Sequence, residues 1–129
     1  MKARDQALKL KRFDVSEKAR KAGDLEGMIK DFESMVLDLE RQIAAEEDRT
    51  GVRDANHFAY STFAKAASQR RENLVTSGAD LREKLALARA DHGRAVEELR
   101  ALEETETRDA ERPRTRGRGR NERTTVTLG

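Results

Sequence analysis

AGDLEGMIKDFESMVLDLERQI, running from Ala22 to Ile43, carries the reading of the whole chain. Ala22, Leu25, Ile29, Phe32, Val36, Leu39 and Ile43 step by three and four in alternation. That rhythm places two apolar positions per heptad along one side of a helix, the seam of a left-handed coiled coil. Leu8 and Val15 continue one seam line toward the N-terminus, while the other falls on Lys11 and Lys18. The seam is therefore weak early in the helix and strong from Ala22 onward. Met28 and Met35 lie beside it and widen the apolar stripe enough to cover more than one partner helix.

This first helix is expected from about residue 4 to about residue 48. It stops at EEDRTG, residues 46–51. Three acids in the last turn oppose the helix dipole, and Gly51 suits the left-handed position that closes a helix. A second run follows the same rule. Leu74, Leu81, Ala88, Ala95 and Leu102 form one line, and Leu85 and Leu99 form its mate, which also passes through Gly78 and His92. Two seams separated by a bend at about residues 49–56 predict a long antiparallel two-helix coiled-coil hairpin, its second helix spanning about 57–110. Pairs such as Glu26–Lys30 and Asp80–Lys84 at i,i+4 add a few tenths of a kcal/mol each on the wet faces.

Composition fits this all-α class. With 129 residues there is room for one domain. Apolar residues make up 36 % and charged residues 40 %, against roughly 45–50 % and about 25 % in an ordinary globular domain. A hairpin tolerates that balance because each helix buries one narrow stripe. From Glu111 onward the chain carries six Arg and two Glu, so this end holds +4 of a net charge of +2, leaving −2 for residues 1–110. Residues 112–129, with Pro113 and Arg-Gly repeats but no apolar period, read as a disordered tail. The chain has no cysteine and so no thiolate chemistry. It has no apolar run long enough for membrane insertion, and its start lacks the core of a secretory signal. The expected location is cytoplasmic.

Nothing in the motifs supports an enzyme, a cofactor or a metal. There is no phosphate loop and no dinucleotide turn. His92 lies on the seam with Arg89 three residues before it, which repels a cation, so a structural or register-setting role is expected. His57 stands at the start of the second helix, which Asp54 or Asn56 could cap. Ser61 follows four residues later without an acid or oxyanion arrangement to make a catalytic set. The Arg-Gly tail could hold a phosphate backbone through charge, but it is short and lacks interleaved aromatics, so nucleic acid is an unfavoured partner.

Three of the five aromatic rings, Phe58, Tyr60 and Phe63, fall within six residues. They cannot all face one seam, because neighbours two and three apart point to different sides. Either they form a structural cluster under the bend over Val52, or they are an exposed patch for a protein partner. Met28 and Met35 are further candidates for partner contact.

MKARD at residues 1–5, LKRFDVSEKAR at 10–20, IAAEE at 43–47 and HFAYSTFAKAASQRRENL at 57–74 together resemble the FliJ-type flagellar export protein family in its alphaproteobacterial form. The likeness spans roughly residues 1–105. The aromatic block carries it, since a heptad repeat does not demand those residues. The resemblance implies a non-enzymatic cytoplasmic component of the flagellar type III export apparatus, placed peripherally at the basal body on the inner membrane. It would be a two-helix coiled coil similar to the stalk of rotary ATPases, coupling the export ATPase to the cytoplasmic domain of the export gate and binding export chaperones. Two departures stand out. Pro113 and the Arg-Gly run replace a charged helical continuation, and Ser61 stands where the family more often has proline. The competing expectations are a nucleic-acid-binding coiled coil acting through the tail and a structural coiled coil that self-associates through the Met28/Met35 face.

Overall fold

Alternating three- and four-residue spacing of apolar side chains, in a sequence rich in Ala, Leu, Glu and Arg, favours helix both by propensity and by the stripe it buries. The computed structural model describes residues 2–111, and the expected disordered tail of 112–129 lies outside the described residues. Two helices, α1 (Lys2–Thr50) and α2 (Thr62–Glu111), make up an all-α helical hairpin, with no strand among the described residues. Both helices are slightly longer at their outer ends than the periodicity suggested. No described helix is long and apolar enough to cross a membrane.

The chain contacts fall into two groups, residues 17–92 and residues 2–16 with 93–111. Within residues 17–92, Leu25, Ile29, Leu81, Leu85 and Ala88 form a buried cluster, with Ala22 and Phe32 packed against it. Leu39, Ala64 and Ala67 are buried on the same seam lines, and Val36, Ile43 and Leu74 are half-buried. Each fully buried Leu or Ile contributes about 1.5–3 kcal/mol. His92 is half-buried on its seam line.

Ion pairs report the helix direction. Glu26 bonds Arg89, and seven residues further along α1, Glu33 bonds Arg82 at 2.6 Å, seven residues back along α2. Advancing one helix while retreating on the other is the mark of antiparallel pairing. Glu26, Glu33 and Glu40 each follow a seam residue of α1, and Arg82 and Arg89 each follow one of α2, so these charges line one margin of the seam. Glu40 takes Arg71 at 2.8 Å. Glu26, expected beside Lys30 on a wet face, thus reaches across the hairpin instead. An interhelical partner offers the arginine fork a carboxylate while its stem covers the seam.

In the group formed by residues 2–16 and 93–111, Leu8 and Ala95 are buried and Leu99 and Leu102 half-buried. Lys11 occupies a seam position, with its ammonium 2.6 Å from Glu98 and 3.5 Å from Asp14. Glu98, and to a lesser degree Asp14, raise the lysine pKa above its ordinary value. The stem fills the seam while the charge stays at the rim. Arg12–Glu103 and Arg4–Asp109 flank it.

Candidate functional site

The loop between the helices, residues 51–61, holds the aromatic block, and its order begins with a helix stop. The Gly51 N–H donates to the Glu47 carbonyl at 2.8 Å, and Gly51 adopts φ +77°. A residue with a Cβ disfavours that angle, which is why glycine closes the helix here. Thr50 Oγ1 accepts the Val52 N–H at 3.2 Å. Asp54 then closes a tight turn, its carboxylate accepting the Asn56 N–H at 2.9 Å and its carbonyl the His57 N–H at 3.0 Å. His57 Nδ1 accepts the Ala59 N–H at 2.9 Å, and its carbonyl accepts the Tyr60 N–H at 3.0 Å. Consecutive side-chain and backbone acceptors of this kind fix a loop that has almost no buried apolar side chain of its own.

The second helix starts later than its sequence suggested, at Thr62 rather than about residue 57, and neither Asp54 nor Asn56 caps it. Ser61 is the cap. Its hydroxyl oxygen accepts the Ala64 N–H at 3.2 Å, and its carbonyl accepts the first helical N–H, from Lys65, at 3.0 Å. The same hydroxyl donates to Glu46 at 2.5 Å. Tyr60 donates its phenolic O–H to Glu47 at 2.6 Å. Glu46 and Glu47, whose charge opposes the dipole at the end of α1, are thus the acceptors that tie the start of α2 to the end of α1. Arg49, bonded to Glu46 at 2.7 Å, offsets their charge. Arg49 first and Ser61 second hold the Glu46 carboxyl down at about 2, well below the usual carboxylate range. The Glu47 acceptor, with burial second, pushes the Tyr60 phenol above its ordinary value.

The three rings therefore have separate fates. Tyr60 is half-buried and bonded, a structural pin. Phe58 is 96 % exposed, and among the described residues its ring contact is with His57, whose centroid is 4.7 Å away in a stacked arrangement. Phe63, in the first turn of α2, is 55 % exposed. Val52 is half-buried nearby in sequence. Phe58 and Phe63 thus stand outside any core, Phe58 on a loop whose N–H groups at residues 51, 52, 56, 57, 59 and 60 are tied, and Phe63 on the first turn of α2. Met28 and Met35 are both about half exposed, one heptad apart on α1.

A second feature had only a faint signature in the sequence. Gly78 sits on the seam of α2, where a side chain should fill the space against Val36, and a notch of about 460 Å³ opens there. A Cβ added at Gly78 would meet only the tip of Arg82, at 3.8 Å. Phe32, Leu37, Leu74 and Val75 wall the notch, with Glu33, Arg82 and Glu40 at its rim. Leu37 is 51 % and Val75 44 % exposed. The signal available in the sequence was an apolar residue, Leu37, one position off the seam and facing no expected partner. No family model, curated protein or solved structure matches this chain.

Proposed function

We propose that the protein works by contact, as a non-enzymatic coiled-coil component of a flagellar type III export apparatus. In this role it couples the export ATPase to the cytoplasmic domain of the export gate and binds export chaperones, acting in the cytoplasm at the inner-membrane face of the basal body. The reading rests on the likeness of residues 1–105, and above all of His57–Leu74, to the FliJ-type family. The observation that supports it best is Phe58: a phenylalanine 96 % exposed on a loop fixed by its own hydrogen bonds. Burying a phenylalanine is worth about 1.5–3 kcal/mol, and a thin hairpin with few apolar residues to spare leaves this one, and much of Phe63, in solvent. Rings held out on an ordered turn are suited to fill a partner's pocket, where aromatic anchors supply most of the binding energy.

The test is direct. The purified chain should bind the export ATPase and stimulate its hydrolysis at low ATPase concentration, and a strain lacking the chain should lose motility. Absence of binding together with normal motility would remove this function.

A further inference from the structure

The notch at Gly78 lies on the margin of the seam that carries the ion pairs, and that margin has an unusual charge order. On α1 it carries Glu26, Glu33 and Glu40, and on α2 it carries Arg82 and Arg89, with Arg71 reaching Glu40 from a seam position. One edge is mainly acidic, interrupted by Lys30, and the other mainly basic, with Glu72 beside Arg71 at 3.5 Å. A surface of that kind is complementary to itself. A half-turn about an axis parallel to the helices lays the acidic edge of a second copy on the basic edge of the first, and the reverse, as an isologous contact requires. A half-turn about the perpendicular axis would set acid on acid.

The apolar parts obey the same rotation. Glu33 is level with Arg82. Four residues on along α1 and four back along α2, Leu37 is therefore level with Gly78. In the charge-matched arrangement the half-exposed Leu37 of each copy falls over the notch at Gly78 of the other, where the seam lacks a side chain. We propose that this face is a homodimer interface, in which Leu37 of each copy fills the Gly78 notch of its mate inside a frame of shared Glu–Arg contacts. The face differs from the Met28/Met35 stripe and does not depend on the export reading.

The contact is small. From residue 26 to residue 47 a helix runs roughly 33 Å at 1.5 Å per residue, and two helices side by side are about 20 Å wide. Two such faces bury roughly 1,200 Å², the low end of specific interfaces. The dimer is accordingly weak, with a Kd in the micromolar range.

Sedimentation of the full chain over ~10–500 μM should show mass rising from monomer toward dimer. Gly78→Leu fills the notch from within. It should keep the helical signal and melting temperature at or above wild type while weakening dimerisation at least tenfold. The chain has no cysteine, so a mixture of Leu37→Cys and Gly78→Cys chains tests the orientation. Oxidation should give the mixed disulfide in excess over either homodimer. A monomer throughout the concentration range overturns the proposal and leaves the notch to a different protein. So does unchanged dimerisation of a folded Gly78→Leu chain, or a predominance of Leu37→Cys homodimer.

Discussion

Gly51 and Gly78 offer the same substitution with opposite expected results. At neither position does an added Cβ meet a close obstacle: nothing lies within 4 Å at Gly51, and only the mobile end of Arg82, at 3.8 Å, at Gly78. Packing therefore does not decide the outcome, and backbone conformation does. Gly78 is in the interior of α2, where glycine costs about 0.8–1 kcal/mol relative to alanine. Gly78→Ala should stabilise the fold by about 1 kcal/mol, because the methyl enters a buried seam position without displacing anything. Gly51 has φ +77°, a region that costs a residue with a Cβ roughly 1–2 kcal/mol. Part of that is offset by the lower entropy of the unfolded alanine chain, about 0.4–1 kcal/mol. Gly51→Ala should therefore destabilise by about 1 kcal/mol. For a chain of this size 1 kcal/mol moves the melting temperature by roughly 4 °C or more. Thermal melts followed by circular dichroism at low protein concentration, where monomer dominates, should show Gly78→Ala above and Gly51→Ala below wild type. A loss of stability in Gly78→Ala would refute the open seam at that level. A gain in Gly51→Ala would refute the left-handed closure of α1.

The loop supports three further predictions. Tyr60 is the chain's only tyrosine and there is no tryptophan, so its phenolate absorbance reports one group. Its midpoint should lie above the ordinary tyrosine value and return toward it in Glu47→Gln, since Glu47 is the main cause of the shift. For Glu46, a folded pKa near 2 against an ordinary 4.5 means the carboxylate stabilises the fold above the ordinary value and loses that effect as pH falls toward 2. Glu46→Gln should flatten the drop in melting temperature across that acid window while leaving slopes near neutrality unchanged. Ser61→Ala removes the cap of α2 and should cost about 1 kcal/mol, read as a fall in denaturant midpoint without a change in slope.

Much of the hairpin was legible in the sequence because a heptad seam is a packing rule written in spacing. Leu25, Ile29, Leu81 and Leu85 were expected on the seam and are buried there, and Gly51 was expected to close α1 and does so by its positive φ. What escaped depends on which parts of the chain meet. Glu26 looked like a local partner of Lys30, yet the helix register offers it Arg89. Glu46 and Glu47 looked unfavourable at a helix C-terminus. Only the returning loop shows them accepting from Ser61 and Tyr60. His57–Tyr60 contains no helix breaker, so although serine is a favoured cap, Asp54 and Asn56 competed with Ser61 as the start of α2. The rings posed two alternatives for one cluster, and the structure divides them, Tyr60 serving the fold while Phe58 and Phe63 remain outside it. The Gly78 notch was out of reach, because a glycine on a heptad line reads as a weak seam position until the space around it is seen.

Phe58 carries the functional account, and one paired measurement tests it: the affinity for the purified export ATPase and the melting temperature, each for wild type and for Phe58→Ala. At 96 % exposure the ring adds almost nothing to the fold, so the melting temperature should stay within about 2 °C of wild type, the range expected of a surface substitution. The affinity should fall at least tenfold, about 1.4 kcal/mol or more, as for an aromatic anchor lost from a partner's pocket. Equal affinity at equal stability, or no measurable binding by the wild-type chain, would contradict the account.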